Sequence, residues 1–289
     1  MIKEIYAKVI LSHVKQPEPW FGLKYNMNLY RGCQHQCIYC DSRSTCYQIE
    51  NFKEILVKVN AIELLVDELS RKRVKGTIGF GSMNDPYMPV ERKLNMTGRA
   101  LEVIARFGFP VHIITKSDLV LKDLEVLKDI GRVYSAVSFT ITTTDEELAK
   151  KVEPGAPAPS KRLEAIRTLS ENGILTGVTM MPILPFLEDN EENISQIVIQ
   201  AKEAGASYII PVFGMSLRSG SRDYYYEKLD QAFPGVRRKY EQQYGLQYQC
   251  PSIRWMELQE LFLELCDRLN IATKITPYTR ELASQMKLF

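Results

Sequence analysis

Between about residues 25 and 215, short runs rich in Val, Ile, Thr and Phe alternate with longer segments of helical period, and a glycine precedes most of the runs. This rhythm constrains the fold more than any other feature, because repeated strand and helix units pair their strands in parallel beneath a layer of helices. The periodicity predicts strands at 27–30, 77–81, 111–115, 133–140, 175–181 and 208–212, and helices at 61–71, 98–106, 121–128, 160–172 and 193–204. Thr97, Asp123 and Asn190 are candidate helix-start residues. Six such units suit either a curved open barrel or a doubly wound sheet, and both place their active sites at the C-terminal ends of the strands. A chain of 289 residues has room for one sizeable core with additions. Residues 1–24, with Pro17, Pro19, Trp20 and Phe21, read as an N-terminal covering segment, 25–215 as the core, and 216–289 as a C-terminal helical extension with an amphipathic helix at 255–269.

The chemistry lies just after the first predicted strand. Of the six cysteines, Cys33, Cys37 and Cys40 form a C-x3-C-x2-C triplet. Three thiolates on a 4Fe-4S cluster leave one iron with open coordination. S-adenosylmethionine can chelate that iron through its amino and carboxylate groups, and its reductive cleavage gives methionine and a 5′-deoxyadenosyl radical. Gly32 permits a close turn of the backbone toward the cluster, and Tyr39 offers a flat ring for the adenine. Zinc is the competing reading, with His35 or Cys46 as fourth ligand. Cys250 and Cys266 read as small apolar residues.

Composition narrows the class. With 45% hydrophobic and 25% charged residues the chain is an ordinary globular protein. Its formal net charge of +2, from 37 Lys plus Arg against 35 Asp plus Glu, creates no strong field for a polyanion, so any nucleic-acid contact must come from a local patch. Arg218, Arg222, Arg237, Arg238 and Lys239, interleaved with Tyr224, Tyr225, Tyr226 and Tyr240, are the candidate patch. No stretch approaches the roughly 18 apolar residues of a membrane span, and the N-terminus lacks a secretory pattern, so a cytoplasmic location is expected.

At Arg31-Gly-Cys-Gln-His-Gln-Cys-Ile-Tyr-Cys40 the chain resembles the radical S-adenosylmethionine (radical SAM) superfamily. More narrowly, Gly81-Ser-Met-Asn-Asp-Pro-Tyr-Met-Pro-Val-Glu91 and Glu153-Pro154 with Arg162 resemble the group related to spore photoproduct lyase, over roughly residues 25–215. The resemblance implies an α/β fold, a partial (β/α)6 TIM-like barrel of the radical SAM type. It further implies a 4Fe-4S cluster on Cys33, Cys37 and Cys40, S-adenosylmethionine across the strand ends, and an external one-electron donor such as flavodoxin or ferredoxin. Lys116 and Ser138 match positions that contact the methionyl carboxylate, while Ser82, Asn84 and Asp85 match positions for the amino group or a polar group of the substrate.

Two residues depart from that group. Ser82 stands where spore photoproduct lyase carries a hydrogen-donating cysteine, and Asp41 where it carries a tyrosine. A hydroxyl is a far poorer hydrogen-atom donor than a thiol, so the thymine-dimer reaction does not transfer. A radical enzyme that repairs or modifies nucleic acid is the leading expectation. A radical enzyme acting on a small molecule or peptide, with the extension as a lid, is the second, and a non-enzymatic cluster or zinc protein the third.

Overall fold

The β-branched runs pair side by side in the computed structural model, which describes residues 2–15, 20–49 and 51–279; Pro17 and Pro19 lie outside these. In chain order the strands are β1 (Ile2–Ile5), β2 (Leu11–His13), β3 (Leu23–Met27), β4 (Tyr30–Arg31), β5 (Ile55–Lys58), β6 (Thr77–Phe80), β7 (Val111–Thr115), β8 (Ser135–Thr140), β9 (Leu175–Ile183), β10 (Tyr208–Ser216) and β11 (Gln249–Pro251). The main sheet has the order β11-β10-β9-β8-β7-β6-β3-β2. Its six central strands are parallel and in sequence order, with β2 and β11 antiparallel at the two edges. This is a partial (β/α)6 barrel, and among the described residues β2 and β11 do not pair to close it.

The helices are α1 (Ala61–Arg71), α2 (Glu91–Leu94), α3 (Met96–Phe107), α4 (Leu124–Gly131), α5 (Glu146–Val152), α6 (Pro159–Glu171), α7 (Glu191–Glu203), α8 (Ser221–Ala232), α9 (Val236–Tyr244) and α10 (Trp255–Arg268). Val111, Ile113, Val137, Phe139, Val178 and Met180 project from the outer face of the sheet into a core with Leu65, Leu101, Leu127, Ile166 and Ile197 of the helices. Every residue of β8 is buried, as expected of a parallel strand covered on both faces. Asn190 caps α7 by accepting from Asn193 N at 2.9 Å. Asp123 stands at the start of α4 without a capping bond, and Thr97 lies inside α3, where its hydroxyl donates to Pro86 O at 2.7 Å.

The interior face holds the barrel floor. Ser138 Oγ lies 2.7 Å from His112 Nε2 and 2.6 Å from the Tyr208 hydroxyl. Gly177 makes this crossing of β9 by the Tyr208 ring feasible, since a Cβ there would fall 2.3 Å from that ring. Phe21 closes the floor against His112, with ring centroids 4.7 Å apart.

Three elements differ from the sequence reading. The first barrel strand is β3, ahead of the predicted 27–30, because Tyr30 and Arg31 pair instead with β5 in a separate sheet of order β1-β5-β4. The N-terminal segment adds β1 and β2 to the two sheets as well as covering the floor. Among its described residues the extension carries α8, α9 and α10 and also β11, which joins the main sheet beside β10. No helix of the described residues is long and apolar enough to cross a membrane.

Candidate functional site

The cysteine loop follows β4 at the C-terminal ends of the parallel strands. Gly32 opens it with φ +79°, and a Cβ there would lie 2.4 Å from Glu54 O, so the backbone approach requires glycine. Contacts across the barrel mouth then hold the loop. Ile38 N donates to Val152 O at 2.9 Å. His35 Nδ1 lies 3.0 Å from Gly155 O, and because a carbonyl only accepts, that nitrogen carries the hydrogen. His35 Nε2 lies 3.1 Å from Asp85 Oδ2, close but not aligned as a hydrogen bond. The Tyr39 hydroxyl donates to Glu153.

Two buried carboxylates thus meet the loop, Glu153 through the Tyr39 hydroxyl and Asp85 through its contact with the His35 ring. Asp85, in the turn after β6, accepts from Thr115 Oγ1 at 2.7 Å, Lys116 N at 2.7 Å and Tyr87 N at 2.8 Å. Burial alone would raise its carboxyl, but the adjacent His35 ring and these donors outweigh burial and bring it down to about 2. Glu153, after α5, lies 2.5 Å from Arg162 Nη2 and 3.8 Å from Lys116 Nζ. Burial opposes its ionisation too, and the two cations overcome it, holding the carboxyl below its usual range. Arg162 spends its other donors on Pro157 O and Thr140 O, so this buried charge is fully paired.

Cys33 and Cys37 are buried and Cys40 is half-buried. All three line one cavity of about 100 Å³ together with Ser82, Asn84, Asp85, Lys116 and Thr140. Burial, with Asp85 nearby, pushes the Cys33 thiol up to about 12; burial also raises Cys37, partly offset by Lys116. Thiols so placed release their protons when a metal takes the thiolates. Among the described residues no three His, Cys, Asp or Glu side chains gather round a single ion. A 4Fe-4S cluster instead binds thiolates through separate irons, and three thiols on one cavity fit that donor set. Of the zinc candidates, His35 lines the same cavity but turns its ring nitrogens to Gly155 O and Asp85 Oδ2, and Cys46 is exposed, with Arg218 Nη1 3.6 Å from its sulfur.

Lys116 is nearly buried, with Nζ 5.6 Å from the centre of the Tyr39 ring. Its burial disfavours the charge, but Cys37 and Glu153 more than compensate and raise its pKa. Ser138 does not line the cysteine cavity, its hydroxyl being taken up in the barrel floor. Thr140, two residues on along the same inward face, lines it and meets Thr179 Oγ1 at 2.9 Å.

Cys40, Ser42 and Ser82 also line a second cavity of about 600 Å³, so the two spaces adjoin. Its size is typical of a ligand site. Met181, Val212, Phe213 and Met215 form apolar walls, and Tyr39, Tyr47 and Tyr248 contribute rings. The extension completes it through Tyr248, Gln249, Cys250 and Pro251. Ser82 accepts from Asn26 Nδ2 at 2.7 Å and donates to its Oδ1 at 3.0 Å, which ties the junction of the two cavities to β3.

The basic and aromatic patch read from the sequence is only partly a surface: Arg238 and Lys239 are exposed and Arg218, Tyr224 and Arg237 half-buried. Tyr225, Tyr226 and Tyr240 are buried in a core with Leu184, Met215 and Cys250. Arg222 is buried as well and donates to Leu217 O, Gly245 O and Gln247 O. These residues divide between α8 and α9, whose buried faces are built of tyrosine.

The model of the radical SAM superfamily matches residues 27–198. The chain belongs to the radical SAM superfamily. An uncharacterised protein of Mycobacterium tuberculosis is 31% identical over 279 residues, covering 93% of this chain and 81% of that protein. An uncharacterised protein of Methanocaldococcus jannaschii is 36% identical over 193 residues, 66% of this chain and 70% of its own length. A radical SAM Nalpha-GlyT isomerase of Pseudomonas phage M6 is 23% identical over 181 residues, 63% of this chain but 37% of that protein. Spore photoproduct lyase complexed with a dinucleoside spore photoproduct superposes with TM-score 0.71 over 93% of this radical SAM chain and 79% of the lyase, at 15% identity, a likeness of fold. The protein is thus an enzyme of the radical SAM class, a class that works with S-adenosylmethionine and a 4Fe-4S cluster.

Proposed function

We propose that Cys33, Cys37 and Cys40 hold a 4Fe-4S cluster with one iron open to S-adenosylmethionine, and that the enzyme acts on a base of a nucleic acid admitted to the larger cavity. The observation that carries this reading is the adjacency of the two spaces, with Cys40, Ser42 and Ser82 common to both linings. When bound, the cluster and S-adenosylmethionine supply a 5′-deoxyadenosyl radical, the electron coming from an external donor such as flavodoxin or ferredoxin.

The chain's own residues bind, orient and shield. Lys116, kept charged beside Cys37 and Glu153, offers its ammonium to the methionyl carboxylate. Tyr39, fixed through its hydroxyl to Glu153, presents its ring to the adenine. Asp85 acts by placing Lys116 N and Thr115 and by bracing His35, since its oxygens already hold three donors. Ser82 offers a hydroxyl at the boundary between the reacting group and the substrate space. The apolar walls exclude water from a radical.

A nucleobase suits the cavity because flat aromatic walls with a few polar groups, here Ser216 and Gln249, are what a base removed from its stack requires. The dinucleoside bound by spore photoproduct lyase, a protein of the same fold, points the same way. The lyase reaction itself is not assigned, because Ser82 replaces the donor thiol.

The test is anaerobic reconstitution with iron and sulfide, followed by dithionite and S-adenosylmethionine with and without single-stranded and duplex oligonucleotides. Formation of 5′-deoxyadenosine that rises with an oligonucleotide supports the reading. Formation indifferent to oligonucleotides but raised by a small-molecule or peptide fraction would replace it with the second substrate class.

A further inference from the structure

We propose that Arg218 forms a phosphate subsite at the rim of the larger cavity, taking a phosphodiester of the strand whose base enters it; the proposal rests on the nucleic-acid reading above. Three arginines of the extension differ in how their charge is used. Arg222 is buried with its donors on three carbonyl oxygens, and Arg237 lies between Asp230 and Glu241, 2.8 Å from each. Arg218 has neither arrangement. Its Nη2 donates to the neutral Tyr248 hydroxyl at 2.8 Å, and its Nη1 reaches the sulfur of Cys46 at 3.6 Å, a weak acceptor. Its Nε is buried with no hydrogen-bond partner among the described residues, although Asp41 Oδ1 stands 3.5 Å away. A guanidinium with five donors has found one good oxygen.

The surroundings favour an oxyanion. The guanidinium carbon lies 4.8 Å from the centre of the Tyr248 ring, and Tyr248, Tyr47 and Asp41 all line the cavity. Arg218 therefore stands immediately behind residues of the cavity wall, in contact with Tyr248 and Asp41, and is partly exposed. A planar fork matches two phosphate oxygens, and the neighbouring rings offer stacking to a base.

Asp41 is the counterweight. It is held without Arg218, accepting from Ser44 Oγ at 3.1 Å and Tyr47 Oη at 3.2 Å. It neutralises part of the Arg218 charge and repels an incoming phosphate. The two residues should consequently act in opposite directions on binding, which a merely structural ion pair would not do.

The experiment measures binding of a fluorescein-labelled ten-nucleotide oligothymidylate to the anaerobically reconstituted protein by fluorescence polarisation over a salt series. Arg218→Gln should weaken binding several-fold and reduce the slope of log K against log salt by about 0.7, the loss of one phosphate contact to a single strand. Arg218→Lys should keep the slope and lose part of the affinity, and Asp41→Asn should tighten binding. Equal affinity and slope in wild type and Arg218→Gln would overturn the subsite while leaving the nucleic-acid reading in place. Weakening by Asp41→Asn as well as by Arg218→Gln would likewise overturn it. Failure of the wild type to bind the oligonucleotide would overturn both. Arg218→Lys and Asp41→Asn keep the test decisive should Arg218→Gln fold poorly.

Discussion

Arg162 Nη2 lies 2.5 Å from Glu153 Oε2 with both side chains buried, and the same carboxylate receives the hydroxyl of Tyr39, the residue before the last cysteine of the triplet. The cysteine loop is thereby tied to a charge pair on the opposite side of the barrel mouth. Removing Arg162 leaves the buried Glu153 carboxylate with only the more distant Lys116, 3.8 Å away, as a counter-charge. Arg162→Met should lower the free energy of unfolding by about 3–5 kcal/mol, measured by urea denaturation, whereas Arg162→Met combined with Glu153→Gln should recover a large part of the loss. Equal losses in the single and double variants would show that the pair does not act as a unit.

Glu188 gives the fold a pH dependence of defined sign. Burial drives its carboxyl well above the usual range, against bonds from Leu184 N at 2.9 Å and Thr142 Oγ1 at 2.8 Å. A carboxyl raised on folding contributes stability that is complete below its unfolded value, about 4.3, and is lost as pH rises through the folded value. Glu188→Gln, which cannot ionise, should gain stability relative to wild type as pH rises from 5 to 8 in parallel denaturation curves. A constant difference across that range would contradict the assignment.

Arg43 lies between the rings of Phe52 and Tyr224, 4.2 and 3.8 Å from their centres, and donates to Gln36 Oε1 at 2.8 Å. Burial lowers its pKa, and it interacts electrostatically with all three cysteines of the triplet. A cation so placed favours the reduced, more negative state of a cluster held there. The midpoint potential of reconstituted Arg43→Gln, followed by electron paramagnetic resonance in a redox titration, should be more negative than that of wild type. An unchanged or more positive midpoint would remove Arg43 from the electrostatics of the site.

Much of the frame was legible in the sequence because the central strands and helices announce themselves locally. The predicted 61–71 and 111–115 coincide with α1 and β7, where apolar period and element length agree. β11 escaped because it is a three-residue edge strand containing a proline, and β5 because it lies in a long connection between the cysteine loop and α1. Ser138 shows a different limit. Alternation along a strand tells which face a residue occupies but not its height in the barrel, so Ser138 in the floor and Thr140 at the cavity could not be separated. The anchors of the cysteine loop were hidden for a third reason: His35 meets Gly155, and Tyr39 meets Glu153, more than a hundred residues further along the chain. The aromatic patch misled because burial, not composition, decides whether a tyrosine stacks on a ligand or fills a core.

The most direct test of the central claim compares wild type with Cys33→Ala, Cys37→Ala and Cys40→Ala after anaerobic reconstitution, measuring bound iron and 5′-deoxyadenosine formed from S-adenosylmethionine under dithionite. The account predicts about four irons per chain and steady product in wild type, and no product from any of the three variants. Undiminished 5′-deoxyadenosine from Cys37→Ala, or a wild-type protein that takes up zinc in place of iron and forms none, would contradict it.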